Sequence, residues 1–169
     1  TNKNVVVLDA DLAKSTKTSL FAKKFPDRFI DVGISEQNMI GIAAGLSTFC
    51  KVPYVSTFAA FATGRVYDLI RCSIAYPKLN VKICGTHAVI TVGEDVATHQ
   101  MLEDINLMRG LPNMTVISTS DDIQTKWAVE AISKIEGPVY LRLARIATPV
   151  IYEENQKFEI GKGIQIGYG

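Results

Sequence analysis

Both histidines of the chain, His87 and His99, belong to one polar segment that also contains Gly93, Glu94 and Asp95. Histidine can transfer protons or donate hydrogen bonds near neutral pH, and carboxylates can accept protons or bind hydroxyl groups. Histidines that are simply satisfied by neighbouring loop atoms would account for this pattern equally well. A zinc site is disfavoured because no cysteine or third histidine shares the spacing. The segment is therefore a candidate polar site, but its residue types alone name no reaction.

Glu36 follows a predicted strand at residues 28–32, and a pair of phenylalanines, Phe58 and Phe61, follows another at residues 52–56. Glu36 falls in the first turn of a predicted helix, where the helix dipole alone would favour a carboxylate. A catalytic carboxylate is the less frequent explanation for such a position. Phe58 and Phe61 have a spacing that most often belongs to a hydrophobic core, although a flat cofactor ring would also need such a stacking surface. Both alternatives stay open for all three residues.

Predicted strands and helices alternate along the chain, which indicates an α/β fold in which helices cover both faces of a mostly parallel sheet. In such three-layer folds, ligands bind at the loops beyond the carboxyl ends of the strands. The polar residues described above fall mainly at these ends. Strands are predicted over residues 5–8, 28–32, 52–56, 81–84, 115–117 and 139–142, and helices over residues 15–24, 35–48, 61–75, 101–109 and 122–134.

The composition is that of an ordinary soluble domain. The 169 residues are 47% hydrophobic and 21% charged, with a formal net charge of +1, which suits one domain with its own core. Scattered basic residues argue against nucleic-acid binding, and no apolar run reaches the length of about 18 residues that a membrane span needs. Cys50, Cys72 and Cys84 lack metal-ligand spacing, and each lies in an apolar stretch. We therefore expect buried, reduced thiols in a cytoplasmic protein.

Five segments carry a specific family resemblance, in order along the chain. Residues 33–39 read Gly-Ile-Ser-Glu-Gln-Asn-Met, residues 56–61 read Ser-Thr-Phe-Ala-Ala-Phe, and residues 93–100 read Gly-Glu-Asp-Val-Ala-Thr-His-Gln. Together with residues 11–15 and 143–145, they resemble the transketolase family from residue 9 to residue 145. The resemblance implies the thiamine-diphosphate-binding fold of the pyrimidine-binding type over residues 1–156. Residues 157–169 would then be a linker towards a C-terminal domain outside this chain.

The resemblance also implies roles for residues around the cofactor, thiamine diphosphate. Glu36 would hydrogen-bond the aminopyrimidine ring and favour its imino tautomer, which helps to remove the thiazolium proton. Phe58 and Phe61 would stack on the pyrimidine, and Asp11 would lie beside the cofactor. In this chemistry the cofactor does the difficult step and the protein positions it.

A second set of implied roles concerns the substrates, which in this family are sugar phosphates. His99 and Asp95 would bind the hydroxyl groups of the ketose donor, with His99 also counted as catalytic. Ser15, His87 and Arg145 would hold the sugar phosphate, a task for which arginine has the right geometry and charge.

The chain departs from the family pattern in two places and lacks one motif. Val96 and Ala97 replace a usual Gly-Pro, and Gly64 stands where some members carry a third aromatic residue. No Gly-Asp-Gly…Asn motif is present, so we expect the diphosphate and its Mg²⁺ to be bound by a separate domain or subunit. A homodimer or larger assembly is the expected form, and the chain is expected to be part of a longer or split enzyme.

The favoured function is therefore part of a transketolase that transfers a two-carbon ketol unit between sugar phosphates. Deoxyxylulose-phosphate synthases and the beta subunits of 2-oxoacid dehydrogenases share the glutamate motif and are the alternatives among enzymes. The Phe58/Phe61 pair and the two histidines favour transketolase over both. A non-catalytic docking module with the same fold is the alternative of another class.

Overall fold

The computed structural model describes residues 2–93 and 96–167. Its centre is a six-stranded sheet with the order β2-β1-β3-β4-β6-β5, in which every neighbouring pair is parallel. The predicted α/β fold with a parallel sheet is therefore confirmed. The strands are β1 (Val5–Asp9), β2 (Phe29–Asp31), β3 (Val52–Phe58), β4 (Lys82–Ala88), β5 (Thr115–Ser118) and β6 (Val139–Ala144).

Helices connect the strands, as a parallel sheet requires. The described part of the chain contains short π-helical and 3₁₀ segments besides α-helices. The α-helices are α1 (Ala13–Thr16), α2 (Ser19–Lys24), α3 (Glu36–Thr48), α4 (Tyr67–Ile70), α5 (Val96–His99), α6 (Asp104–Arg109) and α7 (Asp122–Ile132); Pro26–Arg28 is a 3₁₀ turn, and Ala60–Gly64 and Arg71–Ala75 are π-helical.

The core has a part on each face of the sheet. On one face, Leu8 and Ile83 pack in a cluster with Ile40 of α3. On the other face, Leu141 packs with Ile132 of α7. Because successive side chains of a strand point to opposite faces, these two clusters place α3 and α7 on opposite sides of the sheet. The three-layer arrangement is thus confirmed, and each fully buried Leu or Ile contributes about 1.5–3 kcal/mol of transfer free energy.

Three predicted helices differ from the observed ones. The helix predicted over residues 15–24 is broken at Lys17, whose left-handed backbone (φ 66°) ends α1. The long helix predicted over residues 61–75 contains two π-helical segments, Ala60–Gly64 and Arg71–Ala75. The helix predicted from residue 101 begins only at Asp104, because Met101 forms a β-bridge with Val89 instead.

The prediction for the cysteines is wrong for two of the three. Cys84 in β4 is buried, but Cys50 and Cys72 are exposed. Cys50 lies in the turn after α3 with a left-handed backbone (φ 58°), and Cys72 faces the exposed Asp68 carboxylate, 3.6 Å from its Oδ1. An apolar neighbourhood in the sequence does not reveal which side of a turn or helical segment a side chain faces, and both of these cysteines face solvent.

Helix lengths in the described ranges stay well below those of membrane spans. The longest is α3, with 13 residues, and no helix within residues 2–93 and 96–167 combines the length and apolarity needed to cross a bilayer.

Candidate active site

The predicted site residues of the described ranges gather at one edge of the sheet. Phe58 ends β3 and His87 lies near the end of β4. Asp11 follows β1 and Arg145 follows β6, and Glu36 opens α3 after β2. The carboxyl ends of parallel strands share one edge, so residues far apart in the sequence converge there. Asp95 lies outside the described residues.

Glu36 is a nearly buried carboxylate at the start of α3. It is 4% exposed, and its position at the helix N-terminus favours a negative charge. Its partner is Arg65, whose Nη1 lies 3.0 Å from both Oε1 and Oε2. Ser35 occupies the N-cap position directly before the helix, but its side chain makes no capping hydrogen bond.

Arg65 is a site residue that the sequence analysis missed. Besides its ion pair with Glu36, its guanidinium carbon lies 4.1 Å from the centroid of the Phe61 ring, which is a cation–π contact. One sequence signal could have found it, since residues 61 and 65 have the spacing that brings side chains together on a helical segment.

Four aromatic side chains, Phe58, Phe61, His87 and His99, form one group that we call the ring cluster. The Phe58 and Phe61 rings are nearly parallel, with centroids 6.0 Å apart and an interplanar angle of 20°. The His87 ring stacks on Phe58, with ring centroids 4.0 Å apart. The His99 ring contacts both phenylalanines edge-on, with centroid distances of 6.1 Å to Phe58 and 5.2 Å to Phe61. The structure thus unites residues that the sequence presented as two separate candidate groups.

An unusual backbone at the end of β4 positions His87. His87 and Val89 both have positive φ angles, 57° and 74°, and the pairing of β4 with β6 shifts register between Gly85 and Ala88. A positive φ is uncommon for histidine and a clear outlier for a β-branched valine. Such strain is typical of functional sites, where the surrounding structure must hold it.

Burial, and in addition the positive charge of Arg145, lowers the pKa of His87 below its ordinary value. His87 is therefore neutral at pH 7, and its Nδ1 lies 3.1 Å from Thr86 Oγ1. His99 is held in a similar way, with Nδ1 2.6 Å from Thr98 Oγ1. Each ring is oriented by a hydroxyl of the preceding residue.

A second region, which we call the polar cleft, opens beside the ring cluster with a volume of about 750 Å³. Three residues predicted to hold a phosphate, Ser15, His87 and Arg145, all line it. Lys17 and Lys126 line the same cleft and were not predicted. Hydroxyls, a histidine and cations on one surface can bind an anion by charge-assisted hydrogen bonds.

Two aspartates at strand ends, Asp9 and Asp31, hold the loops of the site. Buried Asp9 accepts hydrogen bonds from the Leu12 amide at 2.7 Å and from the Thr16 and Thr18 hydroxyls at 2.7 and 2.8 Å. Asp31 Oδ1 accepts from the amide of Asp11 at 3.1 Å and from that of Gly33 at 2.9 Å. These bonds support the turn that carries Asp11 and the loop that leads to Glu36. Sequence reasoning missed both, although a carboxylate directly ending a strand was visible.

Asp121 holds one wall of the polar cleft. Its Oδ1 caps α7 by accepting from the Gln124 amide at 2.8 Å. Its Oδ2 accepts from the amides of Ile151 and Tyr152 at 3.0 Å each. The segment after Arg145 is thereby tied to the start of α7.

Comparison with known proteins identifies the family. Residues 1–150 match the family described as "Transketolase, pyrimidine binding domain". The chain belongs to this family. The resemblance predicted from the sequence motifs is therefore confirmed for most of the chain.

Individual transketolase-family relatives agree with this result. A "putative transketolase C-terminal section" from Methanocaldococcus jannaschii is 56% identical over 95% of this chain and 52% of its own length. A "6-deoxy-6-sulfo-D-fructose transketolase subunit" from Clostridium sp. (strain MSTE9) is 43% identical over 94% of this chain and 49% of its own. A solved "split gene transketolase, inactive beta4 tetramer" superposes with a TM-score of 0.84 at 55% identity, over 95% of this chain and 52% of that one. The chain thus spans about half the length of these relatives.

Proposed function

We propose that this chain is the pyrimidine-binding part of a thiamine-diphosphate-dependent transketolase. In the complete assembly it would transfer a two-carbon ketol unit between sugar phosphates. When bound, thiamine diphosphate supplies the stabilised carbanion chemistry that ketol transfer needs and that amino-acid side chains lack.

The observation that carries this proposal is that the nearly buried carboxylate of Glu36 and the ring face of Phe61 both contact the same side chain, that of Arg65. The cofactor's aminopyrimidine is a flat ring with hydrogen-bonding nitrogens, and these residues fit it in chemistry: Phe58 and Phe61 offer ring faces, and Glu36 can share a proton with a ring nitrogen. Asp11, at the neighbouring loop, would lie beside the cofactor.

The substrate would extend into the polar cleft. Ser15, His87 and Arg145 would bind its phosphate, and His99 and Asp95 would bind the hydroxyls of the ketose. The support is that the three proposed phosphate ligands line one cleft together with Lys17 and Lys126, while His99 lies in the ring cluster beside it. A sulfonate group resembles a phosphate in shape and charge, so the same cleft would also suit a sulfosugar of the kind named for one relative.

The diphosphate and Mg²⁺ would be bound by a partner domain or subunit. Among the described residues, no group of three or more His, Cys, Asp and Glu side chains could hold a metal ion. Two relatives are named as a "C-terminal section" and a "subunit". A homodimer or larger assembly is part of the proposal, as is the division into a domain (1–156) and a linker (157–169). A cytoplasmic location would suit the three free thiols and stays a prediction.

Calorimetric titration with thiamine diphosphate and Mg²⁺ tests the proposal. We expect tight binding when this chain is mixed with a diphosphate-binding transketolase chain, and no tight binding to either chain alone. The mixture should then catalyse ketol transfer from a ketose phosphate. Titration with Mg²⁺ alone is the control. Binding without any ketol transfer would favour a docking module. If this chain alone bound the cofactor as tightly as the mixture does, the proposal that a partner binds the diphosphate would be contradicted.

A further inference from the structure

The side chain of Arg65 engages two of the three residues that the proposed function assigns to the pyrimidine ring, Glu36 and Phe61. Its Nη1 is hydrogen-bonded to both oxygens of Glu36 at 3.0 Å. Its guanidinium also covers the Phe61 ring, with the carbon 4.1 Å from the ring centroid. One flat cation therefore satisfies the carboxylate and the ring face at the same time.

The contact distance leaves no room for a second flat group in between. Stacked non-bonded atoms approach to about 3.5–4.0 Å, so a guanidinium at 4.1 Å is already in direct contact with the face that it covers. A pyrimidine ring on that face, hydrogen-bonded to Glu36, would occupy the space in which the guanidinium now lies.

The contacts of Arg65 are nevertheless of a kind that can be exchanged. A single nitrogen bridges the two Glu36 oxygens, whereas the strongest arginine–carboxylate pairs use two parallel N–H donors. The Arg65 side chain is 45% exposed, against 5% for that of Glu36. Within the described ranges its guanidinium has hydrogen bonds only to Glu36, so it can swing into solvent by rotation of its own side chain.

We propose that Arg65 is an internal competitor of the pyrimidine ring for Glu36 and Phe61, and thereby sets the affinity of the chain for thiamine diphosphate. This inference rests on the proposed function. The arginine protects a nearly buried carboxylate that would be costly to leave unpaired, and the ring replaces it as partner. Apparent affinity is reduced by the fraction of molecules in which Arg65 occupies the site.

The test measures the dissociation constant of thiamine diphosphate at fixed Mg²⁺, by calorimetry, on the mixture of this chain with its diphosphate-binding partner. Arg65→Gln removes the cation, and we expect cofactor binding to become about tenfold tighter, the scale of a competitor that fills the site about nine times in ten. Arg65→Lys keeps the charge near Glu36 but loses the flat group over Phe61, so a smaller gain is expected. It also covers the case in which Arg65→Gln fails to fold.

A thermal melt gives a second readout that does not depend on activity. Arg65→Gln should melt at a lower temperature than the original chain without cofactor, because Glu36 loses its partner. Saturating cofactor should raise that temperature by more than it does in the original chain. The matched control is Arg71→Gln, which removes an exposed arginine paired with the exposed Asp68 and should leave cofactor affinity unchanged.

Unchanged or weaker cofactor binding in both Arg65 variants would overturn the inference, because the arginine would then be neutral or a direct cofactor contact. Glu36→Gln separates this result from failure of the proposed function. If Glu36→Gln weakens binding while the Arg65 variants do not tighten it, only the competitor is wrong. If Glu36→Gln has no effect on binding, the proposed function itself fails.

Discussion

The two regions of the site differ in how they could select a ligand. The ring cluster with Glu36 presents aromatic faces and one nearly buried carboxylate. The polar cleft, with a volume of about 750 Å³, presents hydroxyls, three cations and the carboxylates of Asp121 and Asp122. A nearly buried carboxylate selects strictly, because a ligand that leaves it unpaired incurs its full desolvation penalty. Exposed charges select loosely, because solvent and salt screen them. The difference predicts large effects of substitutions in the first region and moderate effects in the second.

The largest effect is expected from Glu36→Gln in the assembled enzyme. The amide cannot share a proton with a ring nitrogen as a carboxylic acid does, so ketol transfer should fall by at least about 100-fold. Steady-state assays measure the loss, and circular dichroism should show an intact fold. Asp68→Asn is the matched control, since Asp68 is also an acid paired with an arginine but is exposed; it should retain activity. Unchanged turnover in Glu36→Gln would remove Glu36 from the mechanism.

A moderate effect is expected from Arg145→Ala in the polar cleft. Loss of one charged hydrogen bond should weaken the binding of a phosphorylated ketose by about 1–3 kcal/mol. Steady-state assays should show a higher KM for this substrate and little change for the unphosphorylated ketose. The loss should shrink at high salt because Arg145 is exposed. Arg109→Ala, at the exposed end of α6, is the control. An equal loss for both sugars would contradict the assignment of Arg145 to the phosphate.

The smallest effect concerns His87, which belongs to both regions. Its pKa lies below the ordinary value, so the ring is neutral at pH 7 and gains a proton only at lower pH; a bound anion favours that proton. Sulfate is a test anion whose charge stays constant over this range. Its inhibition of ketol transfer should therefore strengthen by about two- to threefold as the pH falls from about 8 to about 6. His87→Asn should remove this dependence. If the variant keeps the same pH dependence, another group is responsible.

Most of the fold could be predicted from local patterns. Short β-branched runs indicate the strands. The helical spacing of Met39, Ile42, Ala43 and Leu46 indicates one apolar face of α3, and all four residues pack in or against the core. The errors arose where one residue changes the backbone. Lys17 adopts a left-handed conformation while Asp9 binds the hydroxyls on either side of it, Thr16 and Thr18, and periodicity cannot reveal a bond to a preceding strand.

The candidate site was partly predictable for a similar reason. Six candidate residues could be predicted because they stand at strand ends or in recognisable motifs. These residues, which lie at one edge of the sheet, are Glu36, Phe58, Phe61, His87, His99 and Arg145. Arg65 stands in no such motif. Its importance comes from two contacts, one with Phe61 in the preceding turn of its own segment and one across the sheet edge with Glu36.

Residue order and side-chain type determined the strand–helix alternation, the family and the set of chemically capable residues, because these depend on neighbours within a few positions. Only the tertiary structure decided that Arg65 pairs with Glu36, that His87 stacks on Phe58, and that Ser15 and Arg145 share one cleft. These contacts join segments that meet where parallel strands end. Their distances follow from how the helices pack on the sheet, which no local pattern contains.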